Sequence, residues 1–458
     1  MKTQVYPPSP LIDEHQERVA GHTARKYLSS LNMDHIELGL TRIQRFLGTL
    51  GNPQDKIPTI HIAGTNGKGS VTAMLSAVLS AAGYKVGTFT SPHLIDVTER
   101  IRINGEPIPS VDFHREILSL KAHLEYLNWP KEQQPTYFEF LNTLAFQYFA
   151  TQPVDITILE TGLGGRLDST NVIAHPLVTA ITSIGYDHMD RLGNTLSAIA
   201  TEKAGIFKPG APVVLGPNIP DEAMQAIRRQ ACKINAGPIT IASDTWQVQH
   251  LTDTGKQSLR NAKTDESIEL ALLGRYQARN LAVVEDILSH LPPQGWEIPE
   301  DAIKQGLTSV HWPARFQYLP EQRLILDGSH NAQGFCALSE DIKSYFPDRP
   351  LIWLLSLRTN RDPQHLIDLT TQFEQTIASH WVPGNNKDLY HDPQNVMAHN
   401  SSQQPNVDHY SLEAGWQAFQ AQLAETPNAL GVITGSLYTA GEILSRLPEY
   451  TTVPSDAR

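Results

Sequence analysis

Short apolar runs alternate with longer stretches of helical periodicity along most of the chain. In the first part, five apolar runs rich in β-branched residues predict strands, and the amphipathic stretches between them predict helices. The strands are expected at 57–63, 84–90, 154–160, 177–184 and 212–215, and the helices at 69–82, 112–126, 136–150 and 194–206. Because several strands are almost wholly apolar, we expect a mostly parallel sheet covered on both faces, as in a doubly wound α/β domain.

A second series of the same kind follows. Its strands are expected at 323–327, 351–357 and 429–434, and its helices at 332–345, 364–375 and 437–446. The Pro, Gly and Trp content of 291–313 indicates a junction, so two doubly wound domains are predicted: 1–312, and a smaller Rossmann-like domain at 313–458.

Three polar stretches fall outside this alternation. Residues 243–266 predict a loop or hairpin within the first domain. Residues 383–408 and the tail 451–458 predict surface loops.

Composition and charge narrow the functional class. The 458 residues carry a net charge of −12, which argues against a non-specific nucleic-acid binder. No apolar run reaches the length of a membrane span, and the first ten residues lack the apolar core of a secretory signal. Cys232 and Cys336 are too few for a disulfide framework or a zinc site. We therefore expect a soluble cytoplasmic enzyme with no nucleic-acid or membrane partner.

The predicted strand ends carry the unusual polar residues. Ligands of open α/β sheets bind beyond the carboxyl ends of the strands. In the first domain these ends carry GTNGKGS (64–70), SPH (91–93), Glu160 and GYDH (185–188). In the second domain they carry DGSHN (327–331) and Gly435-Ser436. A site between the two domains is predicted from this placement.

The segment GTNGKGS is a glycine-rich strand-to-helix turn with one lysine. Backbone amides at a helix N-terminus bind anions, and Lys68 adds a point charge for the β- and γ-phosphates. The spacing departs from GxxxxGK[ST], because Gly69 stands between Lys68 and Ser70. We predict a phosphate-binding loop with an exposed lysine.

Glu160 and the histidine of DHMD (187–190) are candidate metal ligands. A carboxylate at a strand end beside a phosphate loop suits Mg²⁺. The spacing around His188 leaves open a metal ligand or, for Asp187, a helix cap. GLGGR (162–166) is not a dinucleotide fingerprint and equally fits a tight turn. By position alone, Lys203 and the remaining histidines, including those in 380–409, would be exposed to solvent.

Nine motifs occur in the order of a known family. They are GTNGKGS (64–70), TSPHL (90–94), YFEFL (137–141), LETGLGGRLDSTNV (159–172), SIGYDHMDRLGNTLSAIATEKAGIFKPG (183–210), GRYQARN (274–280), WPARF (312–316), LDGSHN (326–331) and TGSLYTAGE (434–442). With these motifs the chain resembles the folylpolyglutamate synthase/dihydrofolate synthase family of the Mur ligase superfamily. The resemblance implies that ATP converts a folate-type carboxylate to an acyl phosphate, which the amine of L-glutamate attacks, releasing ADP and phosphate.

The resemblance also implies roles for individual residues. Those expected to bind ATP are Gly64, Thr65, Asn66, Gly67, Lys68, Gly69, Ser70, Asn280, Arg315 and Asp327. Two Mg²⁺ sites are expected, held by Ser91, Glu160, His188 and Lys203. Lys203 would be carbamylated by CO₂, which requires a neutral amine and hence a lowered pKa. Lys68, Lys203 and His330 are the expected catalytic residues.

A further set is expected to contact the substrates. Thr136, Tyr137, Phe138, Glu139, Arg166 and Asp168 would hold the pterin, while Ser436 and His330 would orient the incoming glutamate. Tyr137 and Phe138 suit stacking but equally fit a buried helix face. LDGSHNAQG and SLRTNRDP (356–363), both in the second domain, depart from the usual family pattern.

The leading interpretation is a bifunctional, monomeric enzyme that uses dihydropteroate or reduced folates, L-glutamate and ATP. A polyglutamate-only synthase is the first alternative. Another Mur-type ligase is the second, and the short stretch before the phosphate loop argues against it because a UDP-binding domain would not fit there. A nucleotide-binding module without ligase chemistry is the third, and it leaves Asp327, His330 and Ser436 unexplained.

Overall fold

A computed structural model describes residues 14–31, 33, 37–252, 255–384, 389–398 and 406–450. Its helices are α1 Glu14–Ser30, α2 Thr41–Thr49, α3 Lys68–Ala81, α4 Ser110–Leu127, α5 Tyr137–Thr151, α6 Met189–Leu192, α7 Leu196–Lys203, α8 Asp221–Lys233, α9 Tyr276–Ser289, α10 Glu300–Ser309, α11 Ala332–Tyr345, α12 Gln364–Thr371, α13 Pro393–Ala398, α14 Leu412–Glu425 and α15 Leu437–Leu444. None of the described helices is long and apolar enough to cross a membrane.

The strands form three sheets. They are β1 Thr59–Ala63, β2 Val86–Phe89, β3 Ile101–Ile103, β4 Glu106–Pro107, β5 Ile156–Glu160, β6 Val178–Ile181, β7 Val213–Leu215, β8 Ile239–Ile241, β9 Trp246–Leu251, β10 Gln257–Asn261, β11 Ser267–Leu270, β12 Gln317–Leu319, β13 Leu324–Leu326, β14 Leu351–Leu355, β15 Thr376–Trp381, β16 Asn406–Asp408 and β17 Leu430–Thr434.

The large sheet has the order β4-β3-β2-β5-β1-β6-β7-β8. From β2 to β8 all neighbouring strands are parallel, and β3 and β4 add an antiparallel edge. Every residue of β1 and β5 is buried, as expected of central strands with helices on both faces. The carboxyl ends of β2, β5, β1 and β6 therefore meet at one edge, where the phosphate loop begins.

A six-stranded sheet forms the second doubly wound unit, with the order β12-β13-β17-β14-β15-β16. Its strands are parallel except for β12 at the edge. The predicted hairpin at 243–266 is present as β9 and β10, and β11 completes a small antiparallel sheet. The fold class expected from the sequence is thus confirmed, whereas the boundary at 312/313 remains a prediction. That boundary falls between α10 and β12.

The connection between the two large sheets is held in an unusual backbone conformation. Ala314 and Phe316 both have positive φ, at 56° and 46°, which L-residues rarely adopt. The main-chain N–H of Phe316 donates to Asp327 at 2.8 Å, and that of Ala314 donates to the side chain of Gln317 at 3.0 Å. Asp327 at the end of β13 therefore fixes the connection.

Two expectations about the second unit need correction. The stretch 383–408 is not simply a loop, because its described part includes α13 and the edge strand β16. Residues 385–388, 399–405 and the tail 451–458 lie outside the described part. The apolar pattern also predicts no element at 376–381, whereas these residues form β15 in the interior of the sheet.

Candidate active site

The phosphate loop connects β1 to α3, and two of its glycines are required by close contacts. A Cβ on Gly64 would lie 1.9 Å from the hydroxyl oxygen of Thr182. Gly67 has φ of 90°, and a Cβ there would lie 2.4 Å from the side-chain oxygen of Asn280. The loop is thus pressed between the end of β6 and α9, which places Asn280 beside it.

Lys68 lies at the first turn of α3 and is mostly covered. Its Nζ donates to the carbonyl oxygens of Gly64 at 3.0 Å and Thr65 at 3.4 Å, and lies 3.8 Å from Glu160. The side chain is 16% exposed, so the expectation of an exposed lysine is wrong. The lysine bends back over the loop because carbonyl and carboxylate oxygens surround its ammonium group.

Glu160 is a buried carboxylate at the end of β5. Burial raises its pKa, while the positive charges of Lys68 and Arg315 and an N–H donated by Ser91 act in the opposite direction. Ser91 and Glu160 therefore lie together beside the lysine. A hydroxyl and a carboxylate are hard oxygen ligands of the kind that Mg²⁺ prefers.

Lys203, at the end of α7, is buried and contacts the phosphate loop. Its Nζ donates to the carbonyl oxygen of Gly64 at 2.9 Å, so the exposed position suggested by its spacing is wrong. Burial and the nearby charge of Lys68 lower its pKa to about 7. The lowered pKa expected for a carbamylated lysine is present.

His188 lies near the cavity, but Asp187 does not cap α6 as one reading of the sequence proposed. The carboxylate of Asp187 instead pairs with the guanidinium of Arg361 and accepts a hydrogen bond from Asn331 at 3.3 Å. Burial opposes ionisation of Asp187, but the charges of His188 and Arg361 hold its pKa well below its usual range. The side chain of His188 is 43% exposed; burial has the largest effect on its pKa and lowers it, while the charge of Asp187 acts in the opposite direction.

The expected metal ligands fall into two places around the phosphate loop. Ser91 and Glu160 are together beside Lys68, whereas Lys203 shares the Gly64 carbonyl with Lys68 and its charge acts on His188. In the part of the chain that the structure describes, no three His, Cys, Asp or Glu side chains form a ready-made metal cage. This arrangement fits Mg²⁺, which protein sites commonly hold through one or two carboxylates together with phosphate oxygens.

A cavity of about 320 Å³ opens between the two large sheets, beside this cluster. On the first-domain side, the expected substrate residues that line it are Thr136, Tyr137, Phe138, Glu139 and Asp168. On the other side, His330, Ser436 and Arg315 line it together with Arg358 and Arg361. Residues expected at a site between the domains therefore line one cavity from both sides, and a smaller cavity lined by Gly69 and Glu160 shares Ser91 and Arg315 with it.

Helix α5 begins at this cavity because of a capping box. The Thr136 hydroxyl accepts a hydrogen bond from the N–H of Glu139 at 3.3 Å, and the Glu139 carboxylate accepts from the N–H of Thr136 at 2.8 Å. The same carboxylate pairs with Arg42 at 3.1 Å. Thr136 and Glu139 thus fix the helix end, which places Tyr137 and Phe138 at the cavity wall.

Asp168 and Arg166 take different positions. The buried carboxylate of Asp168 accepts hydrogen bonds from the N–H of Leu163 at 2.8 Å and from the N–H and hydroxyl of Thr170 at 3.0 and 2.5 Å. It therefore orders the glycine loop at the cavity wall. Arg166 pairs with Glu202 at 2.9 Å and is not among the residues lining the cavity.

Across the cavity, the second unit contributes oriented polar groups. The Nδ1 of His330 bonds to the carbonyl oxygen of Gly328 at 2.9 Å, and burial lowers the pKa of His330 to about 4. A carbonyl can only accept, so Nδ1 carries the hydrogen and Nε2 is a free acceptor. Ser436 caps α15 through the N–H of Thr439 at 3.3 Å.

Several residues of the site were missed or misplaced by sequence reasoning. Asp187, Arg361 and Arg100 were not assigned to the site, although their positions after strands or within SLRTNRDP were available as signals. His61 and His380 are buried, so the expectation that the remaining histidines are solvated is wrong. A lone histidine in a strand carries no sequence signal for burial.

Comparisons with known proteins identify the family of the chain. Residues 62–285 match the Mur ligase middle domain. The chain is 37% identical to the dihydrofolate synthase/folylpolyglutamate synthase of Bacillus subtilis, over 93% of this chain and 98% of that protein. It is 34% identical to the folylpolyglutamate synthase of Lacticaseibacillus casei, over 89% and 94% of the two chains.

Solved structures match the whole two-sheet arrangement. A Mycobacterium tuberculosis folylpolyglutamate synthase complexed with ADP and AMPPCP superposes with a TM-score of 0.82 at 27% identity, covering 94% of this chain and 98% of that one. Escherichia coli FolC in complex with DHPP and ADP gives 0.78 at 26% identity, with the same coverage. The chain is therefore an ATP-dependent ligase that belongs to the dihydrofolate synthase/folylpolyglutamate synthase family.

Proposed function

We propose that the enzyme joins L-glutamate to dihydropteroate and also to reduced folates. ATP transfers its γ-phosphoryl group to the folate carboxylate, and ADP leaves. The glutamate amine then attacks the carbonyl carbon of the acyl phosphate, and phosphate leaves as the amide bond forms. The observation that carries this proposal is the cavity between the two sheets, with aromatic side chains on one wall and His330 and Ser436 on the other, next to a smaller cavity lined by Gly69 and Glu160.

The first domain would hold the nucleotide. The N–H groups at the start of α3 and the ammonium of Lys68 would bind the phosphates. Gly64 and Gly67 support this role because a Cβ at either would collide with Thr182 or Asn280 and displace the loop. Asn280, beside Gly67, would contact the nucleotide, as would Arg315, which lines both the large cavity and a smaller one near α3. Asp327 would act indirectly, by fixing the connection that carries Arg315.

Two Mg²⁺ ions are part of the proposal. Ser91 and Glu160 would hold one, and His188 and a carbamylated Lys203 the other. Bound Mg²⁺ would neutralise the charge that develops as an anionic carboxylate meets the γ-phosphate. Lys203 becomes a suitable ligand only when CO₂ converts its amine to an anionic carbamate, which its lowered pKa favours.

The second domain would present the glutamate. The free Nε2 of His330 can accept a hydrogen bond from the glutamate amine, since its Nδ1 is committed to Gly328. With a pKa near 4 the ring remains neutral at pH 7 and does not repel the cationic form of the amine. Ser436, at the N-terminus of α15, would contact the same ligand.

ADP release by the purified protein tests the proposal. The protein is mixed with Mg-ATP and L-glutamate, and dihydropteroate and tetrahydrofolate are supplied separately, with glutamate-free reactions as controls. Release with both substrates is the expected result. Release with tetrahydrofolate alone would make the protein a polyglutamate synthase, the activity in the name of the L. casei relative. Release with neither would refute the proposal. Monomeric state and cytoplasmic location belong to the same proposal, and gel filtration tests the first.

A further inference from the structure

Arg100 is a buried cation at the cavity wall with no acidic partner. It follows β2 and precedes β3, and it is only 5% exposed. Its Nε donates to Nδ1 of His93 at 3.0 Å. In the described part of the chain no carboxylate oxygen lies within 4.0 Å of its guanidinium, and its two terminal nitrogens donate to no acceptor.

The buried charge of Arg100 destabilises the protein unless an anionic ligand binds beside it. A buried charge without a counter-ion is strongly destabilising. Two nearby arginines do have one: Arg42 pairs with Glu139 and Arg361 with Asp187. The terminal nitrogens of Arg100 are not fully buried, and the residue lines the cavity. Both nitrogens are therefore available to a ligand in that space.

The surroundings indicate which ligand group would reach it. The guanidinium lies 6.0 Å from the ring of Tyr137, at the aromatic wall, and its charge also acts on the carboxylate of Glu160. Arg100 thus lies between the aromatic wall and the phosphate loop. His330 and Ser436, expected to orient the glutamate, belong to the opposite wall.

We propose that Arg100 binds the acceptor carboxylate of the folate-type substrate, the group that ATP phosphorylates. This inference rests on the proposed function and adds a residue to it. The planar guanidinium offers two parallel N–H groups that match a carboxylate. One carboxylate oxygen attacks the γ-phosphorus, and the bond from phosphorus to the ADP oxygen breaks. The guanidinium stays on the other oxygen and offsets repulsion between the two anions.

His93 is the positioning residue for this contact. Its Nδ1 accepts from Arg100, so that nitrogen carries no hydrogen. The ring also packs edge-on against Tyr438, with centroids 6.0 Å apart. Because Tyr438 belongs to the second unit, His93 connects the orientation of Arg100 to the wall on the far side of the cavity.

Equilibrium binding of dihydropteroate and of its carboxamide, both in the presence of ADP, tests the proposal. The carboxamide keeps the pterin and the ring but lacks the negative charge. We expect wild type to prefer the acid, and R100M to bind the acid about 10- to 100-fold more weakly with little change for the carboxamide, the range of one charge-assisted pair. R115M is the matched control, since Arg115 is a surface arginine paired with Asp112.

An unchanged acid-to-carboxamide ratio in R100M would overturn the proposal, as would a rise in the KM for L-glutamate alone. R100K keeps the charge but not the paired N–H groups. Its ratio of affinities for the acid and the carboxamide should therefore lie between those of wild type and R100M. If R100M does not fold, R100K alone is tested. An acid-to-carboxamide affinity ratio equal to that of wild type would then overturn the proposed two-N–H contact between Arg100 and the carboxylate. Wild-type ADP release is measured first: its absence refutes the proposed function, whereas a normal rate with an unchanged ratio refutes only the role of Arg100.

Discussion

Replacing Lys203 by Met should remove a carbamate on which turnover depends. Two ammonium groups, those of Lys68 and Lys203, donate to the single carbonyl oxygen of Gly64, at 3.0 and 2.9 Å. Addition of CO₂ to the Lys203 amine would turn this repulsive pair into an attractive one. Only a neutral amine can react with CO₂, so the pKa of Lys203 decides how readily the carbamate forms.

The size of the effect follows from that pKa. With a pKa of about 7, the amine of Lys203 is about 70% neutral at pH 7.4. An ordinary lysine with a pKa near 10.4 is only about 0.1% neutral at that pH. At pH 7.4 the fraction of Lys203 in the reactive neutral form should therefore be several hundred times that of a surface lysine. The rate at which Lys203 reacts with CO₂ should rise as pH increases through about 7, because the charged form is lost there.

The reaction is followed at fixed dissolved ¹³CO₂ by alkylating the carbamate and locating the label by mass spectrometry. We expect label on Lys203 in wild type, with a half-maximal initial rate near pH 7. K233M is the matched control, because Lys233 is an exposed lysine at the end of α8. K203M should lose ADP release, and K203A should regain part of it with short carboxylic acids. A half-maximal rate above pH 10, or full ADP release by K203M, would refute the reasoning.

Three further outcomes follow from the site. Lys68→Met should lower ADP release at least about 100-fold, because the γ-phosphate loses its point charge, while circular dichroism stays unchanged; a wild-type rate would remove the lysine from the phosphate site. Removing Mg²⁺ with EDTA should abolish ADP release and added Mg²⁺ should restore it, so activity in EDTA would contradict the Ser91–Glu160 assignment. Asp187→Asn should weaken the contact with Arg361 and make the nucleotide-bound protein more open in small-angle X-ray scattering; an unchanged scattering curve would argue against this pair as a closing contact.

Local sequence patterns were sufficient to predict most of the fold and part of the candidate site. The apolar strands predicted two doubly wound units because a parallel strand covered on both faces leaves a continuous apolar run. The glycines and lysine of 64–70 predicted the phosphate loop, since a strand, a tight turn and a helix N-terminus are neighbours in sequence. The position of Glu160 followed from the rule that strand ends meet at one edge.

What the sequence by itself determined is therefore what depends on neighbouring residues: the two α/β units, the glycine-rich turn before α3 and the sheet edge at which the polar strand ends meet. Only the tertiary structure decided that Lys203 is buried with a lowered pKa and that Asp187 pairs with Arg361 at a separation of 174 residues. It also decided that Arg100 faces the cavity with no carboxylate of the described residues within 4.0 Å. The physical reason is that burial and charge pairing are set by chain segments far away in sequence. A charged side chain has the same local pattern whether water, a carboxylate or a substrate stabilises it.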